Sequence, residues 1–397
     1  MSNVSIGSVG CCVLDILYPD ADLSSAGREL YCSRTPGDGG LVPGGLVFAE
    51  EIERFAGTSA EEIARAVSRG AGTKSNVGGP AATALIHAAQ VLGPEAVSAY
   101  FYGVRGDDAL GEQLAALLDR TPLECSGVRV APGRTPSTIV LSDPMAAGGG
   151  ERTFINTIGV AAEFRAVDVA ESFFAHPITF FGGTALVPRL HAELGSILRR
   201  ARAAGSLTVV GPVYDFLNEK RNPDGLWPMG NGQNDYDAVD LVVCDREEAR
   251  RLTGCDSLSD ALARFAQWGA SGAVITDGGS PVHFSASGGR FRKCDVSILP
   301  PSAEVARRAS GIPGTERDTT GCGDNFAGGI LVSLARQLSA DADRPLDLRT
   351  AVIEGVAAGA AAWFFLGSTW METRRGEKAE MVNEFREAYL RQIGDRS

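Results

Sequence analysis

An α/β fold, a doubly wound sheet flanked by helices, is the class this 397-residue sequence predicts. Three observations predict it. From residue 178 onward, short apolar runs alternate with helical stretches: strand 178–181, helix 191–204, strand 207–210, strand 241–244, helix 247–252, helix 258–268 and strand 273–276. Such alternation is the pattern of a parallel sheet covered by helices on both faces. The chain also opens on an apolar run, 4–17, that suits a buried parallel strand with Asp15 at its C-terminal tip. Finally, 44% hydrophobic and 22% charged residues are ordinary globular values, and the length suits one large α/β domain or two.

The remaining elements follow in order. Residues 19–47 are rich in Pro, Gly and charge and read as short strands or a long flap. Residues 50–69 have helical spacing with acids in the first turn, which predicts one helix. Gly78-Gly79-Pro80 then opens 81–92, apolar nearly all round and so a buried helix with Pro in its first turn. A strand at 99–104 precedes Gly106-Asp107-Asp108 and a helix over 110–118. Residues 137–141 and 152–158 read as two strands joined around Gly148-Gly149-Gly150, a hairpin-like pair. A polar insertion with Trp, Pro and Gly fills 215–237.

Charge and composition narrow the partners. A net charge of −12 disfavours nucleic acid and anionic membrane. It leaves a phosphate ligand open, because such a site needs local backbone N–H groups and not a positive total. Eight cysteines without a C-x-x-C pair, beside four histidines, read as reduced thiols in a cytoplasmic protein. The first residues have no basic stretch before their apolar run and read as a strand, not a signal peptide. The nearest approach to a membrane span, 356–366, is too short. No G-x-G-x-x-G follows the first strand, which argues against a redox dinucleotide protein.

The strongest chemical signal is Asp318-Thr319-Thr320-Gly321-Cys322-Gly323-Asp324, leading into a helical run from Asn325 to Val332. Small residues just before a helix N-terminus make an anion site from unpaired N–H groups and the helix dipole. Asp324 falls in the first turn beside that site. A carboxylate there can take a proton from a hydroxyl that attacks a phosphoryl group. The competing explanation of a lone acid in that place is a helix-stabilising charge worth ~0.3–1 kcal/mol.

This stretch resembles the C-terminal signature of the ribokinase-like (PfkB) kinases, D-T-x-G-A-G-D, with Cys322 in place of Ala. The resemblance implies an ATP-dependent sugar kinase with Asp324 as base and the N–H groups of Gly321, Cys322 and Gly323 as anion hole. It also implies a small β-rich lid from about 16–50 and 131–158 over a single catalytic domain. Asp318 and Thr320 would lie near a loop that binds a monovalent cation, K+, in several relatives, with Thr320 on the nucleotide side. Gly78-Gly79 resembles the N-terminal G-G-x-x-x-N signature, with Thr83 where Asn is usual. Asp15 resembles the substrate-binding Asp, and Asn156 would reach substrate from the lid. Asp245 and Glu248 resemble the N-x-x-E segment that helps organise Mg2+. Thr276, Gly278 and Gly279 stand where relatives meet the nucleotide, ATP. The alternative acceptor is a nucleoside, since the long segment before residue 75 is more like the adenosine-kinase branch. A less favoured reading is a non-catalytic nucleotide- or sugar-binding protein. Relatives often form homodimers through their lids.

Overall fold

The computed structural model describes residues 4–23, 30–35, 37–70, 72–143, 151–230, 232–310 and 319–395, with only the backbone of Glu151. Its strands are β1 (Val4–Gly10), β2 (Val13–Tyr18), β3 (Leu46–Phe48), β4 (Lys74–Gly78), β5 (Val97–Gly106), β6 (Leu123–Ala131) and β7 (Ser137–Asp143). They continue with β8 (Glu151–Thr157), β9 (Ile178–Gly182), β10 (Leu207–Gly211), β11 (Leu241–Asp245), β12 (Gly272–Thr276), β13 (Val282–Ala286) and β14 (Cys294–Leu299). Nine form one sheet in the order β14-β13-β12-β11-β10-β9-β1-β5-β6, and five form a second in the order β3-β8-β7-β2-β4. The large sheet is parallel from β12 to β6, and β13 and β14 run antiparallel at its edge.

Alternation of side chains along each central strand builds two cores. Leu207 and Val209 face one core and Val210 the other; Leu241 and Val243 part from Val242 and Cys244 in the same way. The first core is covered by the helices Pro80–Leu92, Cys322–Ala340, Leu348–Ala362 and Glu377–Gln392. Over the second lie Leu194–Ala203, Arg246–Thr253 and Leu258–Gln267. Chain order reverses between β1 and β9, so the crevice outside their C-terminal ends is a topological switch point, where open α/β sheets bind ligands.

The run 4–17 is not one strand. Gly10 takes φ 138°, and the chain leaves the large sheet through Cys11 and Cys12 to enter the second sheet as β2. Asp15 therefore lies within a lid strand and not at the tip of the first strand. The stretch 50–69 is likewise two helices, Ala49–Ala56 and Ala60–Val67. Gly57 ends the first in the left-handed region at φ 71°, and the Ser59 side chain caps the second by accepting from Glu62 N–H. Both helices lie on the second sheet, their Ile52, Ile63 and Val67 packing with Ile139, Leu141 and Ile155. The second sheet also draws in β4, beyond the segments expected of the lid. The insertion contains a helix, Phe216–Arg221, and buries Trp227, Met229 and Tyr236.

Candidate active site

Three glycines bring the segments together. Cys11 N–H donates to Gly182 O at 2.9 Å, and Ala81 N–H donates to Cys11 O at 3.2 Å. Gly79, at φ 91°, lets the Pro80–Leu92 helix start against this turn, where a Cβ would fall 2.5 Å from Cys11 O. Gly78 faces Asp15 so closely that a Cβ would lie 2.1 Å from Asp15 Oδ2. The Gly-Gly pair thus gives room to the Asp15 carboxylate and to the Cys11 backbone.

Register across the second sheet aligns Phe48, Asn156, Thr138, Asp15 and Asn76 as direct neighbours on five strands, β3-β8-β7-β2-β4. Directly paired residues share a face, so one face carries a polar row ended by Phe48. The opposite face carries Val47, Ile155, Ile139 and Ile16, which pack under the two helices. Asn156 is buried and donates from Nδ2 to Thr138 Oγ1 at 3.0 Å. Asp15 is only 4% exposed, and Ser368 Oγ donates to its Oδ2 at 3.3 Å.

Asp324 lies in the first turn of the Cys322–Ala340 helix, whose N-cap, Gly321, has φ 75°. It keeps some contact with solvent, yet the protein packed around it pushes its carboxyl up to about 6. Cys11 joins the two acids: burial pushes its thiol up, and Asp324 and then Asp15 add to the effect. Cys11 thus lies near both acids, Asp15 on a strand of the second sheet and Asp324 on a helix that covers the large one. At the helix start, Cys322 N–H donates to Thr319 O at 3.2 Å, Thr320 is partly buried, and Gly323 is exposed with nothing within 4 Å of where a Cβ would lie. Asp318 lies outside the described residues.

Asp245 and Glu248 form a reciprocal cap at the start of the Arg246–Thr253 helix. Asp245 Oδ1 accepts from Glu248 N–H at 2.8 Å, and Glu248 Oε2 accepts from Asp245 N–H at 3.0 Å. Burial raises Glu248 well above the ordinary carboxyl range, with Asp245 and Asp324 adding like charge. Burial also raises Asp245. Among the described residues, no three His, Cys, Asp or Glu side chains converge on one point. Asp245 and Glu248 nevertheless lie near enough to Asp324 for its charge to act on Glu248, and carboxylates in small number fit Mg2+, which keeps several waters and takes few protein ligands beside substrate phosphates.

Thr276 ends β12 in register with Asp245, and its hydroxyl lies 3.4 Å from Cys244 O. Gly278 and Gly279 beyond it are exposed and open. Thr83 is fully buried, its Oγ1 3.5 Å from Thr369 Oγ1, so it supports the 367–370 segment. Sequence reasoning missed Ser368, Asn325, Asn76, Thr138, Phe48 and Cys11. The available signals were the Asn directly after Asp324 and the Gly367-Ser368-Thr369 break behind an apolar helix.

The model of the pfkB family carbohydrate kinases matches residues 50–368, most of the chain. The chain belongs to that family. PfkB kinases are phosphotransferases. Among solved structures, the ribokinase of Arabidopsis thaliana with ribose and ATP is 16% identical with TM-score 0.61, over 96% of this chain and 99% of that one. Adenosine kinase of Anopheles gambiae, in complex with P1,P4-di(adenosine-5) tetraphosphate, is 19% identical with TM-score 0.67, over 92% and 97%. An E. coli protein described as ribokinase II, with ATP and Mg2+, is 15% identical with TM-score 0.62, over 96% and 100%. At these identities the likeness is one of fold. No curated protein matches the sequence. No helix among the described residues is long and apolar enough to cross a membrane.

Proposed function

We propose that this PfkB chain transfers the γ-phosphoryl group of ATP to a hydroxyl of a sugar, with Asp324 as the base. The observation that carries this is the pairing of a raised, partly accessible carboxyl at a helix N-terminus with a second buried carboxylate, Asp15, on the lid. Asp15 and the polar row of Thr138 and Asn156 accept and donate to neighbouring hydroxyls of the acceptor. Asp324 takes the proton of the hydroxyl as its oxygen forms a bond to the γ-phosphorus, and the bond from that phosphorus to the β–γ bridging oxygen breaks to release ADP. N–H groups at the start of the Asp324 helix meet the spreading negative charge. Asp245 and Glu248 would hold Mg2+, which supplies charge neutralisation to the phosphates. ATP would lie along Thr276, Gly278, Gly279 and Thr320. A reaction that consumes ATP suits the cytoplasm.

Phe48 favours a second reading. It ends the polar row, with Phe216 edge-on to it at 6.3 Å and Tyr214 packed on Phe216 at 4.5 Å. An aromatic end beside a hydroxyl-binding row suits a nucleoside, whose base is planar and whose sugar is polar. The test is ADP release from Mg-ATP across sugars and nucleosides, for wild type and Phe48→Ala. Turnover of a sugar that Phe48→Ala leaves intact supports the first reading. Turnover of a nucleoside that Phe48→Ala weakens supports the second, and no ADP above background on any acceptor overturns both.

A further inference from the structure

Lys378, second residue of the Glu377–Gln392 helix, is 1% exposed and has no part in the phosphoryl transfer outlined above. Its Nζ donates to Asn325 Oδ1 at 2.9 Å. His87 Nδ1 lies 2.9 Å from the same oxygen. On its other side, Asn325 Nδ2 donates to Gly321 O at 2.8 Å and to Ser368 O at 2.9 Å. Both amide hydrogens are thereby used, so Oδ1 must be the acceptor and His87 must donate from Nδ1. A reversed amide would set its NH2 group against the Lys378 and His87 donors and its oxygen against two carbonyls. The ammonium group thus permits one orientation of Asn325 only.

Burying a lysine is costly. Burial pushes Lys378 down to about 7, even with Glu372 acting the other way. The Phe365 ring lies 5.5 Å from Nζ, and Glu372 Oε1 accepts from the Lys378 backbone N–H at 2.9 Å. His87 is neutral there, because burial and then Lys378 hold its pKa well below the ordinary range.

The two carbonyls held by Asn325 belong to different walls of the site. Gly321 begins the helix that carries Asp324. Ser368 touches Asp15, and the next residue, Thr369, accepts from Asn76 Nδ2 at 2.9 Å. The walls meet backbone to backbone: a Cβ on Gly321 would fall 2.6 Å from Ser368 Cα. We propose that Lys378 is a positioning residue for phosphoryl transfer, acting through Asn325 to clasp the Gly321 turn to the Ser368 segment and so fix the spacing of Asp324 and Asp15. The proposal rests on the kinase reading for its effect on rate, but not for the clasp itself.

The test compares wild type with Lys378→Met, Lys378→Gln, Asn325→Ala and the double variant Lys378→Met/Asn325→Ala. It measures kcat, KM for ATP and acceptor, thermal unfolding, and hydrogen exchange of peptides over 319–326 and 366–370. The clasp predicts that folded Lys378→Met loses kcat by about 10²-fold with little change in either KM, as a small misplacement of reacting groups does. Lys378→Gln, which keeps an N–H donor, recovers much of the loss. The double variant is no slower than Asn325→Ala, because both changes cut one chain of contacts. Exchange quickens in the two peptides of Lys378→Met and not in the lid helices. Wild-type kcat in a folded Lys378→Met, or unchanged exchange in both peptides, overturns the proposal. If Lys378→Met does not fold, exchange in Asn325→Ala decides in the same way. If wild type releases no ADP on any acceptor, the kinase reading fails, and exchange alone decides the clasp.

Discussion

Asp324, the proposed base, sets chemistry against stability. Its carboxyl ionises near 6 in the folded chain and near the ordinary 3.8 when unfolded, because burial disfavours the charge. Between those values the folded state holds the extra proton, so stability falls as pH rises from about 4 to 6 and then stays level. Asp324→Asn removes that penalty. The variant should lose turnover by about 10²–10⁴-fold while gaining roughly 1–3 kcal/mol at pH 7. Urea unfolding of both proteins checks this, and the difference should vanish below pH 4. In wild type, kcat/KM should rise with pH through an apparent pKa near 6, as the base loses its proton; a flat profile from pH 5 to 8 would remove Asp324 as the base. Gly78 belongs to the same scale. A methyl group there would strike the Asp15 carboxylate, so Gly78→Ala should raise the acceptor KM by roughly 10–100-fold and leave the KM for ATP near wild type.

Elements were legible in the sequence where backbone demands write themselves in residue types. The 318–324 motif needs small residues at a helix start, and Gly321 does sit there at φ 75°. The strands from β9 to β12 were legible because a buried parallel strand must be apolar on both faces. The run 4–17 misled because β1 and β2 are both apolar, although they belong to different sheets, and Gly10 alone marks the exit. The break at Gly57 carried its own signals, a left-handed glycine and a capping serine, inside a run whose helical spacing continues on both sides. Lys378 was invisible because its partner is 53 residues away, and only packing joins them. The 215–237 insertion reaches the second sheet: Phe216 meets Phe48 on β3, and Lys220 pairs with Glu51 on the lid helix. An exposed ion pair of this kind contributes ~0–1 kcal/mol and the aromatic pair about 0.5–1.5. Phe216→Ala should therefore loosen the lid and raise the acceptor KM, with unfolding stability lowered only slightly. An unchanged KM would show that the insertion serves the large sheet alone.

At the scale of the molecule, the second sheet has two faces with different uses, and the difference bears on assembly. One face carries the polar row that looks onto the crevice. The other is apolar, and a bare apolar sheet face of this kind is a surface that a second copy could cover. Here it is already filled: Ile52, Ile63 and Val67 of the two lid helices cover Val47, Ile139, Leu141 and Ile155. A sheet face holds one apolar layer at about 10 Å spacing, and the helices occupy it. A dimer through that face would have to displace two helices whose buried apolar residues pack on it. The net charge of −12 adds mutual repulsion between copies at low salt. The chain should therefore sediment as a monomer of 41.5 kDa at micromolar concentration, with or without ATP. A stable dimer would mean that contact is made elsewhere, for example along β14, where Val296 and Ile298 are exposed at the end of the large sheet. Charged substitutions at those two residues, and not at the lid helices, should then break it.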